Sequence, residues 1–80
     1  MGTLKKILNL YPEEGFLKVD GFDDAIIGIT LDGKLVYSID TIIKILMKDM
    51  SEDDAFEYFD YKIEGAYLGE RTPIYIKLIN

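Results

Sequence analysis

The chain has 80 residues and a mass of 9.2 kDa, which allows one domain. Apolar residues make up 49% and charged residues 30%, excluding a disordered tail, a collagen-like fibre and a low-complexity linker. Fifteen acids against nine bases leave a net charge of -6, with no cysteine and no histidine: no disulfides, no thiolate or imidazole metal ligands, and no general base of the usual kind.

Residues 3–11 place Leu4, Ile7, Leu8 and Tyr11 on one face of a short helix, capped by Thr3 and ended by Pro12 and Gly15. Residues 16–19 are a short strand or an extended lead-in. Asp20-Gly21-Phe22-Asp23-Asp24 forms a turn, and residues 25–31 read as an isoleucine-rich strand. Gly28 in its middle marks a bulge or a close backbone approach. Asp32-Gly33 follows, then a second β-rich run over residues 34–39. Asp-Gly between such runs predicts a hairpin with a type I′ turn, both central residues at positive φ.

Ser38 is placed as an N-cap, with Asp40 in the first turn at the positive end of the helix dipole. The spacing predicts a helix over about residues 39–49, with Ile39, Ile42, Ile43, Leu46, Met47 and Met50 on a broad apolar face. Ser51-Glu52-Asp53-Asp54 is a capping box with Asp54 as a short substitute for Glu, and Met50 can staple onto Ala55. The helix it opens carries Ala55, Phe56, Phe59 and Ile63 inward and stops at a left-handed C-cap on Gly65. Residues 66–73 form a loop, and residues 74–79 alternate as a closing strand. The expected fold is one compact α+β domain over residues 1–80. It has a small, mainly antiparallel sheet (hairpin plus C-terminal strand), two consecutive helices packed on one face and a short N-terminal helix.

Clusters of chemistry-bearing residues are few. Asp20, Asp23 and Asp24 offer oxygen ligands of the kind Ca²⁺ and Mg²⁺ prefer, but without EF-hand spacing. An Asx-turn and backbone capping account for them better, and no metal is expected. Asp49, Glu52, Asp53, Asp54, Glu57 and Asp60 are the densest charge, and spacings of four and three place Asp53, Glu57 and Asp60 on one helix face. Such a face is either solvated or a surface steered toward a basic partner. Tyr58, Tyr61, Tyr67 and Tyr75 interleave with it and fit an interface or a core edge equally.

The loop Gly65-Ala66-Tyr67-Leu68-Gly69-Glu70-Arg71-Thr72-Pro73 holds the one arginine. Arg71 suits a phosphate or carboxylate, although no Gly-rich phosphate fingerprint accompanies it, and pairing with a nearby acid explains it more simply. Ser38 and Ser51 are better helix caps than nucleophiles, so no enzyme and no cofactor are expected. The net charge opposes nucleic acid and anionic lipid. Lys5 and Lys6 precede only a short apolar patch without a small-residue cleavage site, so an intracellular, cytoplasmic location is expected.

Several motifs together resemble a family of small uncharacterised proteins of bacteriophages and some bacteria. They are Gly21-Phe22-Asp23-Asp24-Ala25, Val36-Tyr37-Ser38, Met50-Ser51-Glu52-Asp53-Asp54-Ala55, and Gly65-Ala66-Tyr67-Leu68-Gly69-Glu70 with Thr72-Pro73. The resemblance spans about residues 20–76. It implies no activity, only a phage-type context in which small acidic domains bind and inhibit host proteins. Relatives often carry Asn at the position of Lys62, so no role of that Asn is transferred.

The resulting expectation is a small acidic, non-catalytic binding module for a protein with a basic patch. Asp53, Glu57, Asp60 and Tyr61 would make the contact, with Tyr67, Glu70 and Arg71 as a second patch. A nucleotide binder using Arg71 and aromatic rings at a dimer interface is one alternative. A self-assembling structural component, pairing through the edge at residues 74–79, is another.

Overall fold

The computed structural model describes residues 2–66 and 68–79. Helix α1 (Gly2–Leu10) turns Ile7 into the core, with Leu4 packed alongside. A 3₁₀ turn (Asp23–Ala25) leads into β1 (Ile26–Ile29), which pairs antiparallel with β2 (Leu35–Ser38). Residues 16–19 are the extended lead-in, and the Val19 N–H donates to the Tyr37 phenolic oxygen at 2.8 Å. The bulge expected near Gly28 falls on Ile27: Ile26 faces Tyr37 and Gly28 faces Val36, leaving Ile27 unpaired. No close approach occurs at Gly28, where a Cβ would meet nothing within 4 Å.

The hairpin forms, but its turn is not the expected type I′. No residue other than glycine has positive φ among the described residues, so Asp32 does not take the left-handed conformation that turn requires. The Gly33 N–H donates to Thr30 O at 3.1 Å and the Thr30 N–H to Lys34 O at 2.9 Å, with Gly33 at φ +87. Leu31, Asp32 and Gly33 thus form a three-residue loop closed by a left-handed glycine, a common alternative for a hairpin. The Thr30 hydroxyl bonds the Asp32 carboxylate and also accepts from the Lys34 N–H at 3.0 Å, which favours this longer loop.

Ser38 ends β2 and caps α2 (Ile39–Leu46), its Oγ accepting from the Thr41 N–H at 3.3 Å. Ile42, Ile43 and Leu46 are buried, but the helix stops three residues before the expected end. Lys48 and Asp49 bond back to Ile45 O and Leu46 O, the tighter i→i−3 pattern, and Met47 is left exposed. Ser51 caps α3 (Glu52–Tyr58), accepting from the Asp54 N–H at 3.2 Å.

Helix α3 then widens into a π-helical segment (Phe59–Glu64). Ala55, Phe59 and Ile63 are buried at a constant spacing of four, and the wider turns keep that stripe on the core. Phe56, expected inward, lies beside the stripe and is 39% exposed. Gly65 is not a left-handed cap, because its φ is -72. Its N–H donates to Asp60 O at 3.0 Å, the i→i−5 bond, and a Cβ there would stand 2.9 Å from the same oxygen. The wide turn, not a positive φ, requires glycine.

β3 (Ile74–Ile76) joins β2 in parallel, pairing Val36 with Ile74 and Ser38 with Ile76. The sheet is therefore mixed, in the order β1-β2-β3, within a small α+β fold. The crossover through α2 and α3 is what a parallel connection needs. Tyr37 is fully buried beneath this crossover, with its ring centre 5.7 Å from that of Tyr75, and Phe59 meets Tyr75 edge-on at 5.4 Å.

Candidate binding surfaces

The outer side of the α3 helix and its π-helical extension bears a hollow of about 580 Å³ lined by Met50, Asp54, Glu57, Tyr58, Tyr61 and Lys62. Packing explains its position. Once Ala55, Phe59 and Ile63 face the core, the residues between them must face water. Tyr58 is exposed and Tyr61 is 76% exposed, while Met50, also lining the hollow, packs partly against the core. Two carboxylates, two phenols and a polarizable thioether meet at this hollow with one lysine. Aromatic faces beside carboxylates suit a guanidinium or ammonium group, which gains from the ring quadrupole and from the charge together.

A second cleft, of about 440 Å³, lies beside the hairpin turn and is lined by Tyr11, Glu14, Phe16, Ile29, Thr30 to Gly33, and Arg71. Arg71 is set by the turn before β3. There the Thr72 hydroxyl donates to Gly69 O at 2.6 Å and accepts from the Leu68 N–H at 2.8 Å. Its Nη1 lies 2.9 Å from Glu14 Oε1, and its guanidinium lies so close to Gly33 that a Cβ there would stand 3.0 Å from Nη1. The pair ties the segment after α1, the hairpin turn and the β3 approach together. Across the cleft, the Thr30 hydroxyl holds the Asp32 carboxyl below its ordinary range, aided by the charge of Lys34.

The expected acidic face is thus divided. Glu57 and Tyr61 meet in the α3 hollow, joined by Asp54, Tyr58 and Met50; Asp53 and Asp60 are exposed but do not line it. Arg71 takes Glu14 as its partner rather than its neighbour Glu70, which is exposed. Tyr67 lies outside the described residues. Tyr75 belongs to the core edge: burial raises its pKa to about 12, with the Tyr37 and Glu64 charges adding to the effect. Burial also raises that of Tyr37, opposed by the Val19 N–H. Asp23 pairs with Lys18 at 3.2 Å, and no three metal-ligating side chains are grouped among the described residues.

Glu14 was missed because nothing in its local sequence marks a partner 57 residues away. The place of Asp54 and Tyr58 in the hollow follows from their spacing to Glu57 and Tyr61, once the Ala55 stripe is known to be buried. No helix among the described residues is long and apolar enough to cross a membrane. Comparison with protein-family models, with curated proteins and with solved structures gave no match.

Proposed function

We propose that this protein is a small non-catalytic binding module that docks a basic segment of another protein onto the α3 hollow. In the phage-type context its motifs suggest, the partner is a host protein that it inhibits or modulates in the cytoplasm. The observation that carries this reading is Tyr61, 76% exposed beside Glu57, Asp54 and Tyr58. The fold gains nothing from so open a ring, whereas an interface gains contact area from it at low entropy cost. The test is affinity capture with the natural chain and with a Glu57→Lys/Tyr61→Ala variant in parallel. A specific partner retained by the first, lost by the second and released by salt supports the reading. A partner held equally by both removes it.

The cleft beside the hairpin favours a second reading, a small-ligand site, because Arg71 lines it together with Tyr11 and Phe16. Arg71 already shares its charge with Glu14, so a phosphate must compete with that carboxylate. Thermal-shift measurements with nucleotides separate the two readings: a nucleotide that raises the melting point of the natural chain but not of Arg71→Ala favours this site.

A further inference from the structure

The chain carries two Asp-Gly pairs, Asp20-Gly21 and Asp32-Gly33. Such a pair is chemically reactive, because glycine has no side chain to keep its peptide nitrogen away from the preceding aspartyl carboxyl. Both aspartates are exposed and both glycines have positive φ, so neither access nor backbone class separates the two. Their surroundings do. The Asp32 carboxylate is bonded by the Thr30 hydroxyl and faces Lys34 Nζ at 3.7 Å, contacts that hold it in its ionised, less electrophilic form. The Gly33 N–H is occupied by Thr30 O at 3.1 Å, and Gly33 itself is buried against the Arg71 guanidinium. At the other pair these restraints are missing. Among the described residues Asp20 makes no hydrogen bond or ion pair, so the Asx-turn expected of it does not form, and the Gly21 N–H has no partner. Gly21 is exposed, with nothing within 4 Å of where a Cβ would stand, which leaves room for a ring to close.

We propose that Asp20-Gly21 is a site of spontaneous self-modification, isomerising through a succinimide to an isoaspartyl link, while the fold spares Asp32-Gly33. The Gly21 nitrogen attacks Asp20 Cγ; a C–N bond forms, the C–OH bond breaks, and water leaves with the amide proton. Water then adds back to either imide carbonyl. Opening at the side-chain carbonyl restores aspartate. Opening at the main-chain carbonyl leaves the chain running through Cγ, one atom longer, with water the sole co-reactant. That extra atom falls between Val19, tied to Tyr37, and Phe22, buried in the core, so the product disturbs a stretch anchored at both ends. Neither Asp20 nor Gly21 lines the α3 hollow, and the inference does not rest on that surface.

The test is to age the natural chain in warm neutral buffer beside a sample unfolded in urea. Trypsin cuts after Lys18 and Lys34 and so releases both pairs in one peptide, where electron-transfer fragmentation tells isoaspartate from aspartate. In the folded chain isoaspartate is expected at Asp20 in about tenfold excess over Asp32, the effect of the bonds on the Asp32 carboxylate and the Gly33 N–H together. In urea the two rates should converge. Thr30→Val, with circular dichroism confirming the fold, should raise isomerisation at Asp32 severalfold and leave Asp20 unchanged; the urea comparison stands even where that variant fails to fold. Equal rates in the folded chain overturn the proposal. So does a bias that persists in urea, isoaspartate that forms only in urea, or an Asp32 indifferent to Thr30→Val in the folded variant.

Discussion

Replacing Gly65 by alanine tests the π-helical segment that positions Tyr61. At φ -72 an alanine is conformationally welcome and would ordinarily stabilise by about 0.4–1 kcal/mol. Here its Cβ would stand 2.9 Å from Asp60 O, against an ordinary contact of 3.4–4 Å. Relief requires the Asp60 carbonyl to turn away, losing the 3.0 Å bond from the Gly65 N–H at a net cost of about 0.5–1.5 kcal/mol. It also shifts the turn that holds buried Ile63, and displacing a packed core side chain costs about 1–3 kcal/mol. After the alanine gain, the expected loss is about 1–3 kcal/mol, a large share of the roughly 4–12 kcal/mol typical of a domain this size. Urea unfolding should show the midpoint falling by about 1 M or more at an unchanged slope. Gly65→Asn should be equally harmful, although asparagine is tolerated in a left-handed cap. Unchanged or increased stability in Gly65→Ala, or tolerance of asparagine alone, would refute the reasoning.

Three further outcomes are expected. Tyr37→Phe removes the acceptor of the half-buried Val19 N–H and should cost about 1 kcal/mol, the low end for an unsatisfied group, with amide exchange at Val19 accelerated; unchanged exchange there would show that the bond holds nothing. Because Tyr37 and Tyr75 hold their protons more tightly folded than unfolded, stability should be level below about pH 10 and fall as pH rises toward about 12. Tyr75→Phe should flatten that fall in urea titrations, and an equally steep fall would contradict the assignment. Gly33→Ala should destabilise by about 1 kcal/mol or more, and by less in an Arg71→Ala background, where the guanidinium no longer crowds the Cβ while the φ +87 strain remains; equal costs in both backgrounds would deny the close approach.

Features decided within a few residues were legible before any coordinates. Ser38 and Ser51 cap as read, and Ile42, Ile43, Leu46, Ala55, Phe59 and Ile63 face inward as read, because caps and the centre of a helix face follow from local spacing; Met47 and Phe56, at the margin of that face, lie exposed. The failures share a different cause. A spacing of four at Ala55, Phe59 and Ile63 fits an α-helix and a wider helix alike, so the purpose of Gly65 was misread. At Asp32-Gly33 the longer loop is favoured by the Thr30 hydroxyl, which bonds both Asp32 and Lys34 there, a contribution that the Asp-Gly pair does not announce. The parallel partner of β3 and the Glu14 partner of Arg71 lie far off along the chain, where local pattern carries no information. Of the site, the acids were legible, but their grouping with Met50 and Tyr58 required the packed helix.

The most direct test of the binding surface is a nuclear magnetic resonance titration of the folded chain with an arginine-rich peptide at low salt. Shifts should gather on Met50, Asp54, Glu57, Tyr58, Tyr61 and Lys62, fade as salt is added, and vanish in the Glu57→Lys/Tyr61→Ala variant, whose own stability should change by no more than about 0.5 kcal/mol. Shifts spread evenly over all the acidic residues, or confined to the cleft around Arg71, would contradict the account.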